Sequence, residues 1–292
     1  PDFERPVIDA GFHDDWARSL AFGEERADEW RSPHVTDPGL ATEPYLRPPG
    51  FPFLLAAVYR LSGGSPTAAV AVQMLLGLAS VLMAWALARR WGLAAAAIAG
   101  GVMATHWALV YFEGELHAPP LVIALQLGML LALVRAADRG TRLAALGAGL
   151  LLGLGVLTRP NVLAQLIVVV PWLALAARRR GRAPWGQVAA LLGGVVLAIA
   201  PATARNVRVS GEPVLVTSNL GVNLWIGNHE GADGLITGEL AGMGSFRTCY
   251  DWPAVVENLD VLVYLETAED AEVLENLDLL EALDELELEG AG

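Results

Sequence analysis

The sequence predicts an all-α protein, a polytopic transmembrane helix bundle with an amphipathic loop region on its outer face. Three observations predict it. Hydrophobic residues make up 54% of the 292 residues, and mean hydropathy is +0.45, well above an ordinary soluble domain. Five or six apolar runs follow one another, several reaching the roughly 20 residues that a bilayer-crossing helix needs. Arginines cluster at alternate segment ends, as they do in a sided membrane protein.

The elements follow in order. Residues 1–50 read as a first outer loop with its own helical patch, "FHDDWARSLAFG". There Phe12, Trp16, Ser19 and Leu20 share a face, with Asp14, Asp15 and Arg18 expected to point away from it. That pattern suits a helix resting on the membrane surface. Residues 51–204 form the bundle, entered through Arg47 and the rigid elbow Pro48-Pro49-Gly50. Phe51 to Ser62 is too short to cross and reads as an interfacial helix. The expected spans are Thr67–Ala88, Trp91–Phe112, Pro119–Val134, Leu143–Thr158, Pro160–Ala177 and Gly186–Ala204. Arg89 and Arg90, then Arg135, Arg139 and Arg142, then Arg178, Arg179, Arg180 and Arg182 fall on one side if every segment crosses. That side reads as the cytoplasm, which puts the first loop and the loop at 205–248 outside. Glycine and alanine in "LAAAAIAGG" and "LGAGLLLGLG" predict close helix packing.

The net charge of −13 belongs to the tail. Residues 248–292 carry 14 acids and no base, leaving 18 acids against 19 bases, all arginine, in the rest. Residues 249–292 therefore read as a separate acidic segment, helical or disordered. The lone Cys249 excludes an intramolecular disulfide framework. His13 and His117 have no His or Cys at ligand spacing, so no metal site is expected. No cofactor and no nucleic-acid partner are expected either. A chain opening at Pro1, with no Met and no leader, reads as a fragment.

The outer loops hold the chemistry that the spans lack. Asp9 stands in "PVIDAGFHDDWA", Arg47 at the elbow, Glu113 and Glu115 in "YFEGELHAPPL", Arg159 in "LTRPN", and Arg205-Asn206 at the exit of the last span. Carboxylates and guanidiniums at an apolar boundary suit a substrate that is half lipid and half polar. A carboxylate can take a proton from an attacking hydroxyl. A guanidinium can hold a phosphate bidentately while it departs. Ordinary roles also fit these residues singly, as interfacial anchors, helix caps or loop acids.

Together the stretches "IDAGFHDDWARSLAFG", "YLRPPGFPFLLAAVYRLSG", "AVQMLLGLASVLMAWALARRWG", "YFEGELHAPPL", "GLLLGLGVLTRPNVL" and "APATARNVRVSGEPVLVTSNLGVNLWIGNHEGADG" resemble the GT-C superfamily of integral-membrane glycosyltransferases. The nearest likeness is to bacterial members similar to protein O-mannosyltransferases and to the aminoarabinose transferase of lipid A. The resemblance implies sugar transfer from a polyprenyl-phosphate donor to a lipid, glycan or protein acceptor at the outer face of a bacterial inner membrane. It implies Asp9 as base, Arg47 and Arg159 as contacts to the donor phosphate, and Glu115 or Glu113 as a second outer-loop acid. Tyr45, Asn223 and Asn228 would line the site. The implied partners are membrane lipid, the lipid-linked donor and an acceptor. Relatives often carry an acid where this chain has Pro119, and further helices before Pro1 and after residue 240 in place of the acidic tail. Two rival readings come from other classes. One is a transporter or flippase-like permease, which would place ionisable groups near mid-membrane. The other is an inactive fragment or scaffold using the tail as its interaction element.

Overall fold

The protein was analysed as a computed structural model, which describes residues 9–23, 45 and 47–218. Among these residues all regular structure is helical. The helices are α1 (Asp9–Phe22), α2 (Gly50–Ser62), α3 (Pro66–Ala88), α4 (Leu93–Thr105), α5 (Trp107–Gly114), α6 (Pro119–Arg139), α7 (Arg142–Thr158), α8 (Leu166–Arg179) and α9 (Trp185–Ser210). The chain divides into two units, residues 1–217 and 218–292, and these helices belong to the first. The acidic tail and the loop carrying Asn223 and Asn228 lie outside the described residues.

Local chemistry sets the helix ends. Ser65 stands in extended backbone, and its hydroxyl accepts the Ala68 N–H. Pro66 follows at the first helical position, where its missing N–H costs nothing. Gly63, at φ +70°, ends α2 in the left-handed region that glycine tolerates best.

Four helical stretches are long and apolar enough to cross a membrane: Pro66–Trp91, Pro119–Arg139, Pro160–Arg179 and Trp185–Ser210. The expected span over Trp91–Phe112 is instead a pair, α4 and α5, bent by 49° at His106. The bend falls where His106 leaves helical backbone for extended (φ −72°, ψ 109°). The expected span at Leu143–Thr158 also differs. α7 has 17 residues, about 25 Å at 1.5 Å per residue, short of a hydrocarbon core roughly 30 Å thick.

α7 is instead the packing centre of the bundle. Its partner is α9, and the contact is backbone on backbone. A Cβ on Gly149 would collide with the Leu191 carbonyl, and one on Gly153 would come 2.6 Å from the Ala198 Cβ. On the facing helix, a Cβ on Gly194 would strike the Leu146 carbonyl. The glycines of "GAGLLLGLG" thus do what lipid-embedded interfaces require, letting two helices approach where no hydrophobic drive pushes them together. Leu133 of α6, Leu152 of α7, Leu173 of α8, and Leu191 and Val195 of α9 fill the core around this seam.

The two ends of the bundle differ in kind. At one end Asp138 of α6 binds Arg90 at 2.6 Å and Arg180 at 2.7 Å. Arg182 there donates to the Ala137 and Asp138 carbonyls, and Gln187 to the Ala136 carbonyl. The Arg182 bonds satisfy carbonyls that the C-terminus of α6 leaves open, while the Ala136 carbonyl also accepts the Gly140 N–H. At the other end α1, α2 and the connecting turns gather.

Candidate functional site at the α1 end of the bundle

The site is built on α1, which Asp9 opens. Positions three, four and seven residues beyond a helix start lie on its face. Here they are Phe12, His13 and Trp16. Phe12 meets Trp16 edge-on at 5.6 Å, and Trp16 meets Tyr45 at 5.8 Å. His13 meets Phe51 of α2 at 5.2 Å. A continuous aromatic ladder, Phe12–Trp16–Tyr45, therefore runs from the first turn of α1 to the chain just before the elbow.

The other face of α1 corrects an expectation. Asp14 and Asp15 do not point into solvent; they are 6% and 7% exposed. Asp14 accepts a hydrogen bond from the Tyr59 hydroxyl on α2 and pairs with Arg18 at 2.8 Å. Arg18 also stacks over the Tyr59 ring at 4.8 Å. Burial pushes the Tyr59 phenol well above its ordinary range and the Asp14 charge adds to this, so a neutral hydroxyl donates to the carboxylate. An acid on the expected polar face is buried because α2 covers that face with a phenol able to satisfy it. α1 is thus packed on both sides. Its C-terminal carbonyls, Leu20 and Ala21, accept from Arg60 of α2.

Three further segments reach the aromatic face of α1 and the ladder it starts. The elbow brings Arg47, whose guanidinium lies 4.4 Å above the Phe12 ring, over the first turn of α1. Pro49 and Gly50 anchor the elbow against the end of α7, where a Cβ on Gly50 would fall 2.6 Å from the Thr158 hydroxyl. Only glycine lets the backbones meet there.

The turn between α5 and α6 arrives next. Its His117 ring packs at 5.9 Å from His13. The turn is held by Gln73, a fully buried residue of α3. The Gln73 amide donates to the Phe112 and Glu113 carbonyls at 3.3 and 3.1 Å, and also to that of Glu115. The third segment is the exit of α9. Arg205 lies 4.2 Å above the Tyr45 ring. Next to it, the wholly buried Asn206 accepts the Tyr45 N–H at 3.0 Å and donates to the Val214 and Val216 carbonyls at 3.1 and 3.0 Å. Burial raises the Tyr45 phenol, and the Arg205 charge draws it partly back.

Below the elbow opens an apolar groove of about 520 Å³ between α2, α6, α7 and α9. Tyr45 and Pro49 roof it; Phe53, Leu125, Leu154 and Ala202 are among its walls. Thr158 is one of the few polar groups facing it.

The residues singled out from the sequence are therefore distributed as follows. Asp9 opens α1, Arg47 lies over Phe12 of the same first turn, and Tyr45 packs on Trp16 of that helix. Arg159 is exposed at the C-terminal cap of α7, next to Thr158 of the groove wall. Glu113 lies along α3, where a Cβ on Gly77 would collide with its carboxylate. Glu115 contributes its carbonyl to the Gln73 clasp, which sets the turn in front of His117. Among the described residues no cluster of three or more His, Cys, Asp or Glu could hold a metal. Gln73 and Asn206 carry much of the positioning; sequence reasoning gave Gln73 no role and set Asn206 among the outer-face groups without a specific one. Their one signal is an uncharged amide inside, or at the end of, an apolar run, where an unpaired polar group would be costly.

A family of known proteins matches this sequence. The model of the family described as dolichyl-phosphate-mannose-protein mannosyltransferase matches residues 46–203, more than half of the chain. The match takes in Arg47, the α5–α6 turn and Arg159, whereas Asp9, Tyr45 and Arg205 lie beyond its ends. No curated protein matches the chain. No solved structure matches it either. From the match and the helical bundle together, the chain belongs to the dolichyl-phosphate-mannose-protein mannosyltransferase family, a family of integral-membrane glycosyltransferases of the GT-C superfamily.

Proposed function

We propose that the protein transfers a sugar from a polyprenyl-phosphate donor to an acceptor hydroxyl, with inversion, at the outer face of a bacterial inner membrane. One observation carries this reading. The elbow that roofs the lipid-sized apolar groove also places Arg47 above the first turn of the helix that Asp9 opens. A single short segment thus joins a slot for a hydrocarbon chain to a fixed cation, the two things a phosphorylated polyprenol presents.

In the proposed reaction Asp9 accepts the proton of the acceptor hydroxyl. The oxygen attacks the anomeric carbon, a new C–O bond forms, and the bond to the carrier phosphate breaks, its electron pair leaving with the phosphate. Arg47 stabilises that departing charge, and Arg159, beyond the end of α7, is assigned to the same headgroup. Glu115 or Glu113 would be the second acid of the outer loops. The side bearing Arg90, Arg139 and Arg180 would face the cytoplasm.

The test is sugar transfer from a polyprenyl-phosphate donor by the protein in membranes. Asp9→Asn and Arg47→Ala should each lose most of the activity. Wild-type rates in both variants would rule out the assigned roles.

A further inference from the structure

We infer that Glu113 is the proton-binding carboxyl of a second site, inside the membrane thickness and separate from the groove, where it is seated on Gly77 of α3. The inference does not depend on the sugar-transfer reading. It rests on α3 crossing the membrane, and it leaves Glu115 as the acid of the outer loops.

Gly77 fixes the depth. It lies 11 residues from Pro66 and 14 from Trp91, the ends of the crossing stretch, or about 17 and about 21 Å at 1.5 Å per residue. That is close to the middle of a hydrocarbon core roughly 30 Å thick. Glu113 reaches this level from the end of α5, because helical side chains slant toward the N-terminus of their helix. Its carbonyl is held by Gln73, one turn nearer the start of α3, and its carboxylate lies a turn deeper. α3 is shaped to receive it: a Cβ on Gly77 would collide with the carboxylate carbon and both of its oxygens.

Nothing there compensates a charge. The carboxylate borders a cavity of about 10 Å³ whose walls include Gly77 and Ser80 of α3, Met103 of α4, Leu109 of α5, and Pro120 and Ile123 of α6. Ser80, the other polar side chain on these walls, already donates its hydroxyl to the Leu76 carbonyl at 2.8 Å. Among the described residues none makes a hydrogen bond or ion pair to the Glu113 carboxylate. α3 has no titratable side chain, and α6 has none before Arg135. The bent pair and the turn after it add His106, Tyr111, Glu115 and His117, and His117 packs on the Phe112 ring instead. A cavity of this size holds about one water, and one carboxylate offers too few oxygens for a metal ion. The ligand that fits is a proton, which removes a charge that an apolar site cannot carry.

The experiment labels the protein in lipid nanodiscs with dicyclohexylcarbodiimide, which is apolar, and in parallel with a water-soluble cationic carbodiimide. Peptide mass locates the adduct. A protonated carboxyl adds across one C=N bond of the reagent: its oxygen joins the central carbon and its proton goes to a nitrogen. The O-acylisourea then rearranges to a stable N-acylurea with no atom lost. At about pH 7, where a solvated carboxyl is ionised, the apolar reagent should label Glu113 roughly tenfold or more over Glu115. The water-soluble reagent should show no such preference. Gly77→Ala evicts the carboxyl from its seat and should abolish the preference for Glu113, and the wild-type comparison stands whether or not that variant folds. No adduct at Glu113 with the apolar reagent, or equal labelling of Glu113 by both reagents, would overturn the proton site.

Discussion

The two ends of the bundle place arginine against different partners. At the α6–α8 end Arg90 and Arg180 share one carboxylate, Asp138, and Arg182 donates to the last carbonyls of α6. There the charges are spent on acceptors within the protein. At the α1 end Arg47 and Arg205 lie on rings contributed by other elements. Arg89 also stacks at the first end, on Trp85, but this is a local contact one turn back along its own helix. The difference teaches how one residue type does two jobs. Paired to a carboxylate it joins helix ends; laid on an aromatic face it ties a loop or helix exit to a ring of another element.

The largest expected effect breaks the comparison directly. Arg47→Ala should lower sugar transfer by about 10- to 100-fold, the worth of one charge-assisted contact to phosphate. Arg90→Ala at the other end should leave transfer within about twofold. Equal losses at both ends would mean that both sets of arginines are structural.

Asp14→Ala asks whether the α1 end also contains a purely structural charge. Removing this buried acid strips Arg18 and the Tyr59 hydroxyl of their acceptor at once. A cost of about 3 kcal/mol is expected, measured as a lower unfolding midpoint in detergent. Asp14→Asn, which still accepts from Tyr59, should recover part of it.

A smaller effect tests the seam between the ends. Gly149→Ala puts a methyl group into the Leu191 carbonyl and should destabilise by roughly 2 kcal/mol. Gly147→Ala, where a Cβ meets nothing within 4 Å, should be neutral. The smallest effect is expected of Asp138→Asn. Its ion pairs are solvent-exposed, so the loss should be under about 1 kcal/mol and shrink further as salt is added.

Much of this architecture was legible in the residues. Apolar runs located α3, α6, α8 and α9, because the crossing length is fixed by the bilayer rather than by tertiary detail. The glycines of α7 announced its close packing. The elbow was legible too, since two prolines and a glycine leave the backbone few alternatives. What escaped depended on partners distant in sequence. Asp14 was placed only off the apolar face, because periodicity reports one helix at a time, and its partner Tyr59 lies 45 residues away. The break at His106 carries no proline to announce it. Arg205 and Asn206 were singled out at the exit of the last span, but their partner Tyr45, 161 residues earlier than Asn206, was not legible.

The account's central claim is that Asp9 and Arg47 act together on the headgroup of a polyprenyl-phosphate sugar. A double-mutant cycle on Asp9→Asn and Arg47→Ala, read as transfer rate at limiting and saturating donor, tests it most directly. The account predicts a fall in kcat for Asp9→Asn, weaker donor use for Arg47→Ala, and a double variant less impaired than the product of the two losses. Unchanged rates in either single variant would contradict it.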